Sequence, residues 1–136
     1  VDKSNTNNFK IKEINTGGNN RINYKIKDYL SINTSQKNNK NPLSINIQTK
    51  KIKEIKEKNI KNEITKYQIN LQVSVAFDLI NSKKEKQNMT FNILGDYTVD
   101  KFHTKTLTNE KKLIDNLVEN ISEKIAFGIG TKINDI

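Results

Sequence analysis

From Tyr67 to Leu79 every second residue is apolar: Tyr67, Ile69, Leu71, Val73, Val75, Phe77 and Leu79, with polar or small residues between them. Side chains alternate across a strand, so this period of two predicts a long, half-buried β-strand. Asn81 to Lys86 supplies a hairpin loop, after which Met89, Phe91, Ile93 and Tyr97 continue the alternation. Gly95 interrupts it and is expected to mark a β-bulge.

The rest of the chain falls into place around this pair. Phe9, Ile11 and Ile14 predict a short strand, stopped by the turn chemistry of Asn15-Thr16-Gly17-Gly18. Ile22, Ile26, Tyr29 and Leu30 recur at helical spacing, with Asn19 or Asn20 to cap the first turn. A polar loop from Ser31 to Asn41 leads to Pro42, and Leu43, Ile45, Ile47 and Thr49 alternate as a further strand. Asp100 to Thr108 reads as a loop before a helix capped by Thr108 or Asn109, with Glu110 favouring its positive end. Leu113, Ile114, Leu117, Val118, Ile121 and Ile125 form its apolar stripe, and Gly128 and Gly130 are expected to end it.

The order β-α-β-β-β-α predicts a two-layer α+β domain, a four-stranded mixed sheet with both helices packed on one face. Its 136 residues suit one core rather than two. Residues 1–8 are polar and aperiodic and read as a tether, 9–130 as the single domain, and 131–136 as a C-terminal tail. Leu, Ile, Val and Phe make up 38 of the 136 residues, above the level of roughly 20% that marks disorder.

Little in the chain points to catalysis. There is no cysteine, which removes disulfides, thiolate metal sites and thiol nucleophiles, and the single histidine, His103, is flanked by Lys101 and Lys105 in the expected loop. No catalytic residue, metal site or cofactor is expected. Asn15 to Arg21 stands between strand and helix but lacks phosphate-loop spacing, and Gly128-Ile129-Gly130-Thr131-Lys132 follows a helix rather than opening one. No apolar run approaches the length of a membrane span.

The net charge of +9 invites an anionic partner, yet 23 of the 24 basic residues are Lys, and Lys, Asn and Ile all have A/T-rich codons. Placement therefore matters more than number. Nucleic acid is not expected as a partner, because neither an aromatic RNA-binding stretch nor a G-x-x-G loop occurs.

Two surfaces stand out. Lys50, Lys51, Lys53, Lys56, Lys58, Lys61 and Lys66 cluster around the connection between the second and third strands, opposed only by Glu54, Glu57 and Glu63; Lys101 and Lys105 precede the last helix. These can hold phosphorylated ligands as point charges, or simply solubilise loops. The outward strand positions Ser44, Asn46, Gln48, Gln68, Asn70, Gln72, Ser74, Thr90 and Asn92 carry no charge in a chain that is 29% charged. Such a face suits a partner against which an unpaired Lys would be costly to desolvate; the alternative is a solvated face in an Asn-rich chain.

Several strings resemble the LptE family of lipopolysaccharide-assembly lipoproteins, particularly its alphaproteobacterial branch. They are Asn8-Phe9-Lys10-Ile11, Arg21-Ile22-Asn23, Thr65-Lys66-Tyr67-Gln68-Ile69, Val75-Ala76-Phe77-Asp78-Leu79, Asp96-Tyr97 and the helix Asn109 to Ala126, so the likeness spans about Phe9 to Gly128. The resemblance implies a plug seated in an LptD-type β-barrel that helps assemble the barrel and binds lipopolysaccharide. It implies attachment to the periplasmic side of the outer membrane through a lipidated N-terminal cysteine, expected ahead of Val1. By position, Lys53, Lys56, Lys58, Lys61, Lys101 and Lys105 would meet the anionic lipid, and Asn46, Gln48, Asn70, Gln72 and Asn92 would face the barrel. Where that branch often has Arg before the strand-opening Tyr, this chain has Lys66, which cannot grip a phosphate bidentately. Competing readings are an auxiliary lipoprotein of an ABC-type lipid transporter and an RNA-binding α+β domain.

Overall fold

A computed structural model describes residues 9–33, 42–80 and 85–134. The expected tether 1–8 lies outside them, as do most of the loops on either side of the long strand pair. The elements are β1 (Lys10–Gly18), α1 (Asn20–Asn33), β2 (Pro42–Lys58), β3 (Ile64–Leu79), β4 (Gln87–Thr98) and α2 (His103–Asn134). The strands lie in sequence order, β1 parallel to β2 and the other pairs antiparallel. The fold is the two-layer α+β arrangement with a mixed sheet, both helices covering one face.

Apolar alternation decides which face that is. Leu43, Ile45 and Ile47 of β2 and Ile69, Leu71, Val73, Val75 and Phe77 of β3 are buried with Ile22, Ile26 and Leu30 of α1 and Leu117, Ile121, Ile125 and Ile129 of α2. Each such side chain contributes roughly 1.5–3 kcal/mol by leaving water. No helix among the described residues is long and apolar enough to cross a membrane.

Four expectations are corrected. Asn15 to Gly18 do not turn; they continue β1 beside β2, pairing Asn15 with Asn46 and Gly18 with Thr49. Gly18, the last residue of β1, has φ +92° and lies so close to β2 that a Cβ would stand 1.9 Å from the Thr49 carbonyl oxygen, so glycine serves here for close approach and backbone sign. The cap after it is Asn19, whose Oδ1 accepts from Ile22 N at 3.0 Å. Buried Thr49 and Asn23 finish the junction: Thr49 Oγ1 donates to Asn23 Oδ1 at 2.7 Å, and Asn23 Nδ2 donates to the Gly17 carbonyl at 2.9 Å.

Second, Lys50 to Lys58 are strand, not loop. Lys51, Lys53 and Ile55 stand opposite Leu71, Ile69 and Tyr67, so the long β3 finds its partner in a lysine-rich strand. The hairpin turns tightly at Asn59, whose Oδ1 accepts from Lys61 N and Glu63 N, with Asn62 at φ 65°.

Third, Gly95 makes no bulge. The β3–β4 register runs unbroken from Lys66↔Thr98 to Phe77↔Gln87. α2 crosses so near that a Cβ on Gly95 would stand 2.6 Å from Leu113 Cδ1.

Fourth, α2 begins at His103 and continues through both glycines, so residues 131–134, expected as tail, are helical. Asp100 starts it early: its Oδ1 accepts from Phe102 N at 2.9 Å, and its N–H donates to Thr106 Oγ1 at 2.7 Å. At the far end, burial of Ile129 and Ile133 offsets the cost of about 1 kcal/mol for each helical glycine.

Candidate functional site

The two surfaces singled out in the sequence lie on different parts of the fold. The lysines gather at one end, where the β2–β3 hairpin and the start of α2 meet: Val99 N donates to the Thr65 carbonyl at 2.9 Å and ties the α2 leader to the hairpin base.

Within this end, Lys53 has its own task. It points to the helix side of the sheet, its Nζ 2.9 Å from Glu110 Oε2 and 4.4 Å and 5.7 Å from the ring centroids of Tyr67 and Tyr97. Those rings stack at 5.7 Å, and the Tyr97 hydroxyl donates to Glu110 Oε2. Hydrogen bonding to Tyr97 and Glu110 pushes the Lys53 ammonium well above its ordinary pKa. Burial, with the hydrogen bond to Glu110, raises Tyr97. Burial works against ionised Glu110, yet its hydrogen bonds from Tyr97 and Lys53 hold the carboxyl below its usual range. The group joins three strands to α2.

The other lysines face water. Lys56 Nζ donates to Gln68 Oε1 at 3.3 Å, and Lys105 approaches Asp100 at 3.9 Å on the surface. Lys58, Lys61 and Lys101 are exposed and form no ion pair among the described residues. Lys66 stands 4.0 Å from Glu57. His103, expected as a solvated loop residue, is exposed but sits at the first position of α2, on the rim of a 280 Å³ cavity with Lys53, Tyr67, Lys101, Leu107 and Glu110.

Sequence reasoning missed the apolar residues at this end. Ile60 at the hairpin tip is fully exposed, and Ile55, Phe102 and Leu107 are at least half exposed. The available signal was isolated Ile in a lysine run, and Phe and Leu off the helical stripe, none of which a core needs. Together with the lysines they give this end both cations and exposed apolar groups.

The second surface is the sheet face opposite the helices. All nine uncharged positions share it, in rows set by the register: Asn46 beside Ala76 and Asn88; Gln48 beside Ser74 and Thr90; Gln72 between Lys50 and Asn92; Asn70 between Ile52 and Leu94; and Gln68 between Glu54 and Asp96. Ser44 closes one end next to Asp78. Charges stand at both ends, Glu13 and Asp78 at one and Glu54 and Asp96 at the other, and Lys50 stands at the side of the face directly opposite Gln72. Gln48 Nε2 donates to Asn46 Oδ1 at 3.0 Å. Asn70 Oδ1 is buried without a hydrogen-bond partner among the described residues, beside Leu94 with 57% of its surface exposed. An exposed leucine among uncharged neighbours fits a face covered by another molecule.

No protein-family model and no curated protein sequence matches the chain. Its fold is similar to that of rare lipoprotein B from Shewanella oneidensis, at TM-score 0.66 and 14% identity, over 90% of this chain and 98% of that one. It is similar to a protein described as a lipoprotein, from Caulobacter crescentus CB15, at TM-score 0.65 and 9% identity, over 98% and 95% of the two chains. A minor lipoprotein from Acinetobacter baumannii matches at TM-score 0.53 and 17% identity, over 88% and 91%. The chain thus has a fold found in bacterial lipoproteins.

Proposed function

We propose that this chain is a lipopolysaccharide-assembly lipoprotein of the LptE type, which plugs an LptD-type outer-membrane β-barrel, helps assemble it and binds lipopolysaccharide. The observation that carries the reading is the helix-free sheet face, on which nine outward positions carry no charge and Leu94 stands exposed. A hydrated barrel wall offers hydrogen-bonding groups to the uncharged positions of such a face.

The lysine-rich end supplies the second half of the reading. Lys56, Lys58, Lys61, Lys101 and Lys105 offer cations for lipid phosphates, while Ile55, Ile60, Phe102 and Leu107 offer apolar contact to acyl chains. Lys53 contributes field there but spends its hydrogen bonding on Glu110 and Tyr97. The lipoprotein fold of the structural neighbours supports the lipid anchor and periplasmic placement.

The test is to place Glu at Asn70 and Gln72 together. The barrel should no longer copurify while thermal stability stays unchanged; retained copurification would count against the face as the docking surface.

A further inference from the structure

The two edges of the sheet are built differently. β1 carries Lys10, Lys12 and Glu13 and a bulge between Ile11 and Glu13, features that discourage pairing with a foreign strand. β4 has none of them: its twelve residues contain no Lys, Arg or Pro in a chain with 24 basic residues, and Asp96 is its only charge. Its register against β3 is regular along its length. Among the described residues no strand pairs on its outer side. Met89, Phe91 and Ile93 belong to the core side yet remain partly exposed there.

We propose that β4 pairs antiparallel with β4 of a second copy of this chain, about a twofold axis at Phe91, joining two sheets into one. The strand is self-complementary in that register. Opposed residues must share a face for the two cores to merge, which an axis on a residue provides. On the helix side Phe91 meets Phe91 of the second copy and Met89 meets Ile93, covering all three part-exposed residues with one another. On the open side Thr90 meets Asn92, Asn88 meets Leu94, and Asp96 meets Lys86, the exposed residue just ahead of β4. Symmetry makes the Asp96–Lys86 pair twice, and no like charges are opposed. Aromatic pairs and opposite charges directly across a strand pair are the contacts that stabilise a sheet. The inference concerns the free chain and does not rest on the barrel reading: a plug seated in a barrel has its β4 edge enclosed, so seating and pairing with a second copy exclude one another.

The test is the association state of the purified full chain, by light scattering across concentration, with charge-swap variants. The wild type should dimerise as concentration rises. Asp96→Lys, which opposes Lys86 of the second copy, should be monomeric while keeping the unfolding midpoint that the wild type has at concentrations too low for it to dimerise, and Lys86→Glu added to it should restore the dimer. Because the chain has no cysteine, a mixture of Thr90→Cys and Asn92→Cys chains should form a disulfide-linked heterodimer under mild oxidation, and a mixture of Thr90→Cys and Asn88→Cys should not. A wild type that stays monomeric at every concentration, or dimerisation untouched by Asp96→Lys, would overturn the proposal. So would β4 amides that become protected from hydrogen exchange only when a barrel partner is added, since the edge would then serve that partner.

Discussion

The ammonium of Lys53 lies against two tyrosine rings and one carboxylate, and this changes what the residue can do. A lysine whose hydrogen bonds go to Glu110 and Tyr97 stabilises the joint between the sheet and α2. Lys53→Met keeps the alkyl packing but strands the partly buried carboxylate, and should lower stability by about 1–2 kcal/mol in urea unfolding. The same joint sets an acid response. Glu110 is held below its unfolded pKa, so its contribution is present above the unfolded value and is lost as pH falls through the folded one. Lys53 is shifted upward, so its contribution fades only in strongly alkaline solution. Stability of the wild type should therefore fall between about pH 5 and 3 more steeply than that of Glu110→Gln, as midpoints measured along that range would show. None of this was legible beforehand: Lys53 read as a loop cation because its inward direction depends on a register with Ile69 that only the folded sheet fixes.

At the scale of elements, β2 extends the sheet alongside β3 through Lys50 to Lys58 rather than giving way to a solvated loop. Its alternation was readable as far as Thr49 and then hidden, since lysines occupy inward slots where apolar residues were expected. α2 was readable from its stripe, but not its ends, because Asp100 capping and the burial of Ile129 and Ile133 override the local turn and glycine signals. Lys56, Lys58 and Lys61 hold no structural joint comparable to that of Lys53. Replacing all three by Ser should leave the unfolding midpoint in place and weaken lipopolysaccharide binding by roughly 1 kcal/mol per lysine at low salt, less at high salt. Titration of the variant with lipopolysaccharide at two salt concentrations checks this, and unchanged affinity at low salt would remove the lysines from the site.

On the scale of the whole molecule, the layered α+β plan followed from the order of periodicities, and the uncharged outward positions proved to share one helix-free face. Period-two alternation fixes which residues share a side, so that face was legible in strand-by-strand form. Its neighbours across the sheet were not, since the row Ile52–Asn70–Leu94 depends on strand order and register set by long-range pairing. That row and the next, Lys50–Gln72–Asn92, mark where Asn70→Glu with Gln72→Glu should detach the barrel. The central claim is tested most directly by affinity purification of the tagged, full-length protein from detergent-solubilised native envelopes, with the copurifying proteins identified by mass spectrometry. A large β-barrel recovered in stoichiometric amount is the predicted result; recovery of inner-membrane transporter subunits, or of no partner, would contradict it.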